Sequence, residues 1–185
     1  MANNSGLFSL GRADISISAW VTAGGAGTFT DIGHLEGDAM LEFDREDLME
    51  GSEQVLGSLF SEPIKFGARL KFAAKESSLD NMQKYLGQPA ANLSGIVPNK
   101  TLLIGDPVAT YYQIKVVTKG ERTAQGATTA AAQTWTFWRM AIQKPEPLVM
   151  SKAKVRLLGF TLEAINDESV TTADKHGKVV NSGGN

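Results

Sequence analysis

Apolar residues in this chain recur mostly at every second position. In Lys65-Phe66-Gly67-Ala68-Arg69-Leu70-Lys71-Phe72 the even positions are apolar and the odd ones are basic or Gly. That is the period of a strand with one face in a core and one in water. Tyr112 to Lys119, Gln133 to Lys144 and Lys154 to Ile165 read the same way. Asp14 to Trp20 and Thr28 to His34 predict two further strands. Ala39, Leu41 and Phe43 predict another that runs to about Arg45, and Thr101 to Ile104 a short one. One helix, at about 77–87, interrupts them. Ser77-Ser78-Leu79-Asp80 has the form of a capping box, and Leu79, Met82 and Leu86 fall on one helical stripe. Asp80 and Lys84 are spaced to pair, and Gly87 followed by Pro89 stops the helix. The chain is therefore expected to be mainly β with one short flanking helix.

Between the periodic segments lie three polar stretches. Beyond Met1, residues 1–12 carry only Leu7, Phe8 and Leu10 as large apolar groups and read as a flexible arm. Residues 166–185 are polar and Gly-rich and read as a fraying tail. Gly120 to Ala130 is small and polar, as expected at the tip of a long hairpin. No stretch is long enough to separate domains, so a single domain is expected over 1–185.

The charge pattern is lopsided. From Glu36 through Gln54 the chain has eight acids and one base, Arg45, which leaves the rest at 17 bases against 12 acids. After Arg45 the alternation fades, so about 36–54 reads as a long acidic loop. That loop is either a solvated surface or the negative half of a docking contact. In the second case Glu42, Asp44, Glu46, Asp47, Leu48, Met49, Glu50 and Glu53 are the contact residues, meeting a basic surface on another copy. The basic face of Lys65, Arg69 and Lys71 is expected to look outward or towards a neighbour.

At 185 residues, 42% hydrophobic and 21% charged, the chain can bury one core. Its net charge of −2 argues against a general phosphate-neutralising binder. It has no cysteine, hence no disulfide or thiolate chemistry. No apolar run approaches the roughly 20 residues of a membrane helix, and the N-terminus does not read as a secretory signal. The two histidines, His34 and His176, lack partners at metal-binding spacing. No calcium-loop pattern starts at Asp38 or Asp44, there is no Gly-x-Ser-x-Gly elbow, and Gly24 to Gly27 lacks the spacing of a phosphate cradle. An enzyme, a cofactor and a metal site are thus not expected. Trp135, Phe137 and Trp138 with Arg139 could form a stacking platform. Alternation instead puts Trp135 and Phe137 on one face and Trp138 on the other, which favours burial.

Several segments together resemble a known family. They are Asp31-Ile32-Gly33-His34-Leu35-Glu36-Gly37 leading into the acidic stretch, the strand Ala68 to Ala74, Lys75 to Gly87, and the closing Phe160 to Asp167. In this order they look like the tail tube, or major tail, protein of long-tailed bacteriophages, related to tube proteins of contractile tails and type VI secretion. The resemblance implies a β-sandwich or barrel-like fold with a flanking helix. It also implies hexameric rings stacked head-to-tail into a hollow tube through which DNA passes without specific binding. Expected partners are other copies of the chain, tail terminator and tail-tip proteins, and a tape-measure protein. The place would be the virion tail, after synthesis in the host cytoplasm, and not a membrane. The family has no catalytic residues to carry over. The competing reading is a non-enzymatic β-sandwich that binds a small ligand or carbohydrate through the aromatics near Trp135.

Overall fold

The computed structural model describes residues 2–9, 13–22, 25, 27–51, 58–118, 132–143, 145, 157–170 and 174–182. The connector expected from Gly120 to Ala130 lies outside them, as does Glu53. The described strands are β1 (Ala2–Ser9), β2 (Ala13–Ala19), β3 (Thr30–Asp31), β4 (Met40–Gly51), β5 (Ser58–Ala74), β6 (Leu93–Ser94), β7 (Thr101–Leu102), β8 (Tyr111–Thr118), β9 (Ala132–Ile142), β10 (Leu158–Ala164) and β11 (Gly177–Ser182). The helix α1 (Leu79–Tyr85) follows β5. All the large strands join one antiparallel sheet in the order β1-β4-β5-β10-β9-β8-β2-β3, with β11 added on β9, while β6 and β7 form a separate small pair. The fold is mainly β and sandwich-like. Inward residues from distant parts of the sheet order meet in one core: Ile15 and Ile17 of β2, Leu70 and Phe72 of β5, Ile114 and Val116 of β8, Phe160 and Leu162 of β10.

The even positions of the Lys65–Phe72 stretch behave as their period requires. Ala68, Leu70 and Phe72 are buried, and Phe66, further out along β5, is exposed. Phe72 stacks on Phe160 at 5.1 Å between ring centroids, and Tyr85 of α1 meets Phe160 edge-on at 5.6 Å. One helix side chain is thereby anchored to the central strand.

Several local expectations give way to the structure. The acidic stretch is not a loop from Met40 onward, because β4 continues through Gly51 and pairs with β5 along its whole length. Its alternation fades where the register slips. Glu46 faces Lys65 but Asp47 faces Pro63, so Ile64 is the extra residue of a bulge. Proline has no amide to give the ladder, so a break in the ladder is where it can sit. The N-terminal segment expected as an arm forms β1, which runs antiparallel to β4 from Ala2↔Asp47 to Ser9↔Met40. The polar tail contains β11 on β9, and backbone pairing does not need an apolar side-chain pattern. The strand expected over Thr28 to His34 shrinks to Thr30–Asp31.

The helix is in its expected place, with a different cap and a different buried face. Ser78, not Ser77, is the N-cap, its hydroxyl accepting from the Asn81 amide at 3.2 Å. Asn81, Gln83 and Tyr85 are buried rather than the Leu79–Met82–Leu86 stripe, although Leu86 still packs on the core. Burial of the two amides is compensated by hydrogen bonds. Asn81 Nδ2 donates to Ile32 O at 2.9 Å and Glu76 O at 3.1 Å, and Gln83 Nε2 donates to Gln88 O. Asp80 pairs with Lys100 at 2.5 Å rather than forming the expected bridge to Lys84. The hydrogen bond from Lys100 holds the Asp80 carboxyl below its ordinary value.

Candidate assembly surface

The β4–β5 hairpin carries the sequence's charge asymmetry in cross-strand form. Glu42 lies opposite Arg69 and Glu46 opposite Lys65. The Glu42 carboxylate reaches Lys71 Nζ at 3.3 Å and Arg69 Nη1 at 3.7 Å. Arg69 and Lys71 alternate with the buried Leu70 and Phe72, so the basic face is on the side of the sheet away from the core. The positive surface expected on another copy is therefore present one strand away in the same chain. Of the expected contact residues, Glu42, Asp44 and Glu46 share one face of β4. Asp47, Leu48, Met49 and Glu50 continue along the strand beyond the bulge.

One flank of β5 pairs with β4. Along the other, β10 pairs only from Arg69 to Ala74. From Ser58 to Ala68 that second flank has no partner among the described strands. The sheet splits there, because β11 continues the line of β10 along β9 without pairing with β5. At the split, Phe43, Phe66, Trp135, Phe137, His176 and Val179 line a recess of about 140 Å³. Phe43 stacks on Phe66 at 5.7 Å, and Phe66 meets His176 edge-on at 5.5 Å. Burial lowers the His176 pKa, which favours its neutral form.

Trp135 and Phe137 face the core side as expected, and Trp138 the opposite side. A bulge makes Phe137 and Met140 both inward. Tyr112 pairs with Met140 but Ile114 pairs with Phe137, so β9 has one residue more than β8. The outward side then gathers a cation–aromatic cluster. Arg139 lies 4.0 Å from the Tyr111 ring centre and 5.0 Å from that of Trp20. Trp20 Nε1 donates to Asp167 Oδ2 at 2.9 Å, and Trp138 Nε1 to Asp174 O at 2.8 Å. These bonds fasten the 165–176 excursion to the sheet. Burial pushes the Asp167 carboxyl upward, but bonds from Ser169 and Trp20 and the nearby Arg139 outweigh it and hold it below the ordinary value.

The segment after α1, where the sequence predicts a short strand at Thr101 to Ile104 and the structure has β7 at Thr101–Leu102, holds the densest exposed apolar surface among the described residues. Ile96 is 83% exposed, Val97 81%, Leu103 61%, Ile104 75% and Val108 54%. The segment is held by polar staples. Gln88, itself buried, donates to Gly105 O at 3.0 Å and accepts from Gly105 N at 3.0 Å and Asn92 Nδ2 at 2.9 Å. Leu103 N donates to Asn92 O at 2.8 Å, and Lys100 ties to Asp80. The run of Ile96-Val97 and Leu103-Ile104 is the signal in the sequence that could have marked it. Beside it lies a groove of about 560 Å³, whose walls include Tyr85, Pro107, Val108, Ile142, Pro145 and Ile165. Burial pushes the Tyr112 phenol in that groove up to about 12.

His34 and His176 are not brought together with acids. Among the described residues no group of three or more His, Cys, Asp or Glu could hold a metal ion. No helix among them is long and apolar enough to cross a membrane. No protein-family model matches the chain, and no curated protein matches it.

Proposed function

We propose that the chain is a structural subunit of a phage tail tube, closing with five other copies into rings that stack into a DNA-conducting tube in the virion. The observation that carries this reading is the flank of β5 from Ser58 to Ala68, which has no partner among the described strands. A bare run of strand amides and carbonyls is a template for pairing with another chain, and closure across subunits removes it. With β1 at the outer end of the sheet order and this flank of β5 without a partner among the described strands, each copy offers two different edges, as the two sides of a directional ring contact need. Tail terminator, tail-tip and tape-measure proteins would be its partners, and Asp47 to Glu50 at the far end of the hairpin remain the proposed inter-ring contact.

The test is negative-stain microscopy and size-exclusion chromatography of the purified chain at several concentrations, without added metal or nucleotide. Rings or tubes are expected, and a compact monomer at every concentration would overturn the reading. A ligand-binding module using the aromatics near Trp135 would rest on the recess at the split. At about 140 Å³ it has the size of a cavity that takes a single benzene-like ring, too small for a carbohydrate chain.

A further inference from the structure

We infer that the apolar projection of one copy, Ile96, Val97, Leu103 and Ile104, seats in the groove of a second copy, against Tyr85, Pro107, Ile142 and Ile165. The inference rests on the assembly reading above and names a contact for it other than the strand edge.

Three features of the chain point to a second copy as the occupant. The first is area. The four projecting side chains bare on the order of 500 Å², comparable to the largest apolar patch of an ordinary monomer. That is more than half of the ~800 Å² per partner that a stable interface buries. The second is rigidity. The Gln88–Gly105 pair of bonds, the Asn92 contacts and the Lys100–Asp80 bridge hold the projection in one shape. Ordering entropy is then already lost in the free subunit, and little is left to oppose docking.

The third is division of roles. The four projecting residues are absent from the groove lining, so among the described residues one copy carries both a knob and an apolar groove. A knob-in-hole contact uses one set from each partner and leaves the other set of each open to a further copy. Contacts of that heterologous kind close into rings or propagate as filaments.

The natural chain has no cysteine, which makes cross-linking a clean test. Val97→Cys is made in one copy and Pro145→Cys, on the groove rim, in another, and the two are mixed under mild oxidation. A disulfide between unlike variants is expected to exceed either like-with-like product several-fold. A yield dominated by Val97→Cys joined to itself would overturn the contact. In a second arm, Ile96→Asp with Val97→Asp should raise the concentration needed for assembly at least tenfold with an unchanged urea midpoint. Assembly of that double variant at the wild-type concentration would overturn the groove contact and leave the tube reading standing. A wild-type chain that stays monomeric throughout would overturn both.

Discussion

Glu42 and Lys71 stand diagonally across the β4–β5 pair, carboxylate to ammonium at 3.3 Å, with Arg69 on the same carboxylate at 3.7 Å. One acid thus sits between two cations of the neighbouring strand, in the position where cross-strand pairs contribute to a sheet. All three side chains are partly exposed, so solvent screens the interaction. Glu42→Lys would gather like charges instead. It should cost about 1 kcal/mol in urea unfolding, and high salt should recover much of that loss. Glu46→Lys, opposite Lys65, should act in the same direction. Equal urea midpoints for Glu42→Lys and wild type at low salt would show that the ladder contributes nothing.

Asp167 predicts a pH dependence. Its folded pKa is depressed, so it stabilises the fold above the unfolded value, near 4. That contribution disappears as pH falls through the lower folded value. Removing the acceptor with Asp167→Ala also leaves Trp20 Nε1 without its partner and should cost about 1–3 kcal/mol at neutral pH. Asp167→Asn should narrow its stability gap to wild type as pH drops below about 4. A gap that stayed constant from pH 7 to pH 2 would contradict the assignment.

Phe160 is the hinge of the core, with Phe72 on its face and Tyr85 on its edge. Phe160→Ala should cost about 3–5 kcal/mol and leave α1 poorly anchored. Chemical denaturation gives the magnitude. Amide exchange should show α1 losing protection before β8 and β9.

Gly95 begins the turn of the projection with φ of +84°, and a Cβ there would lie 2.4 Å from Asn99 O. A side chain at that φ costs about 1–2 kcal/mol apart from the clash. Gly95→Ala should loosen residues 96–104 locally, speeding their amide exchange, and weaken assembly while the global urea transition barely moves. Unchanged exchange in the projection would show that the turn tolerates the strain.

Much of the strand layout is legible in the sequence, because half-buried strands advertise themselves locally. Leu70 and Phe72 alternate with Arg69 and Lys71, and the burial of each follows from position alone. The far half of β4 is not legible in this way. Its charges look like a loop until β5 is beside it and Asp47 to Gly51 are seen to pair with Pro63 back to Ser58. β1 and β11 escape for a related reason, since their pairing is made by the backbone with partners far along the chain. Asn81 and Gln83 displace the expected apolar stripe because each amide finds acceptors that a helical wheel does not contain. The projection was legible as composition but not as exposure. Nothing local distinguishes Ile96 and Val97 on a stapled loop from the same pair in a core.

β10 and β11 run in the same direction along the same flank of β9, β10 ending at Ala164↔Met140 and β11 starting at Gly177↔Phe137. Together they trace one interrupted strand, and residues 165–176 are an insertion within it. Trp20 and Trp138 clamp that insertion near its two ends. Its length is therefore uncoupled from the strand register on either side. This makes the insertion the natural place to graft a peptide or tag for display, and a many-copy assembly would repeat the graft at the spacing of its subunits.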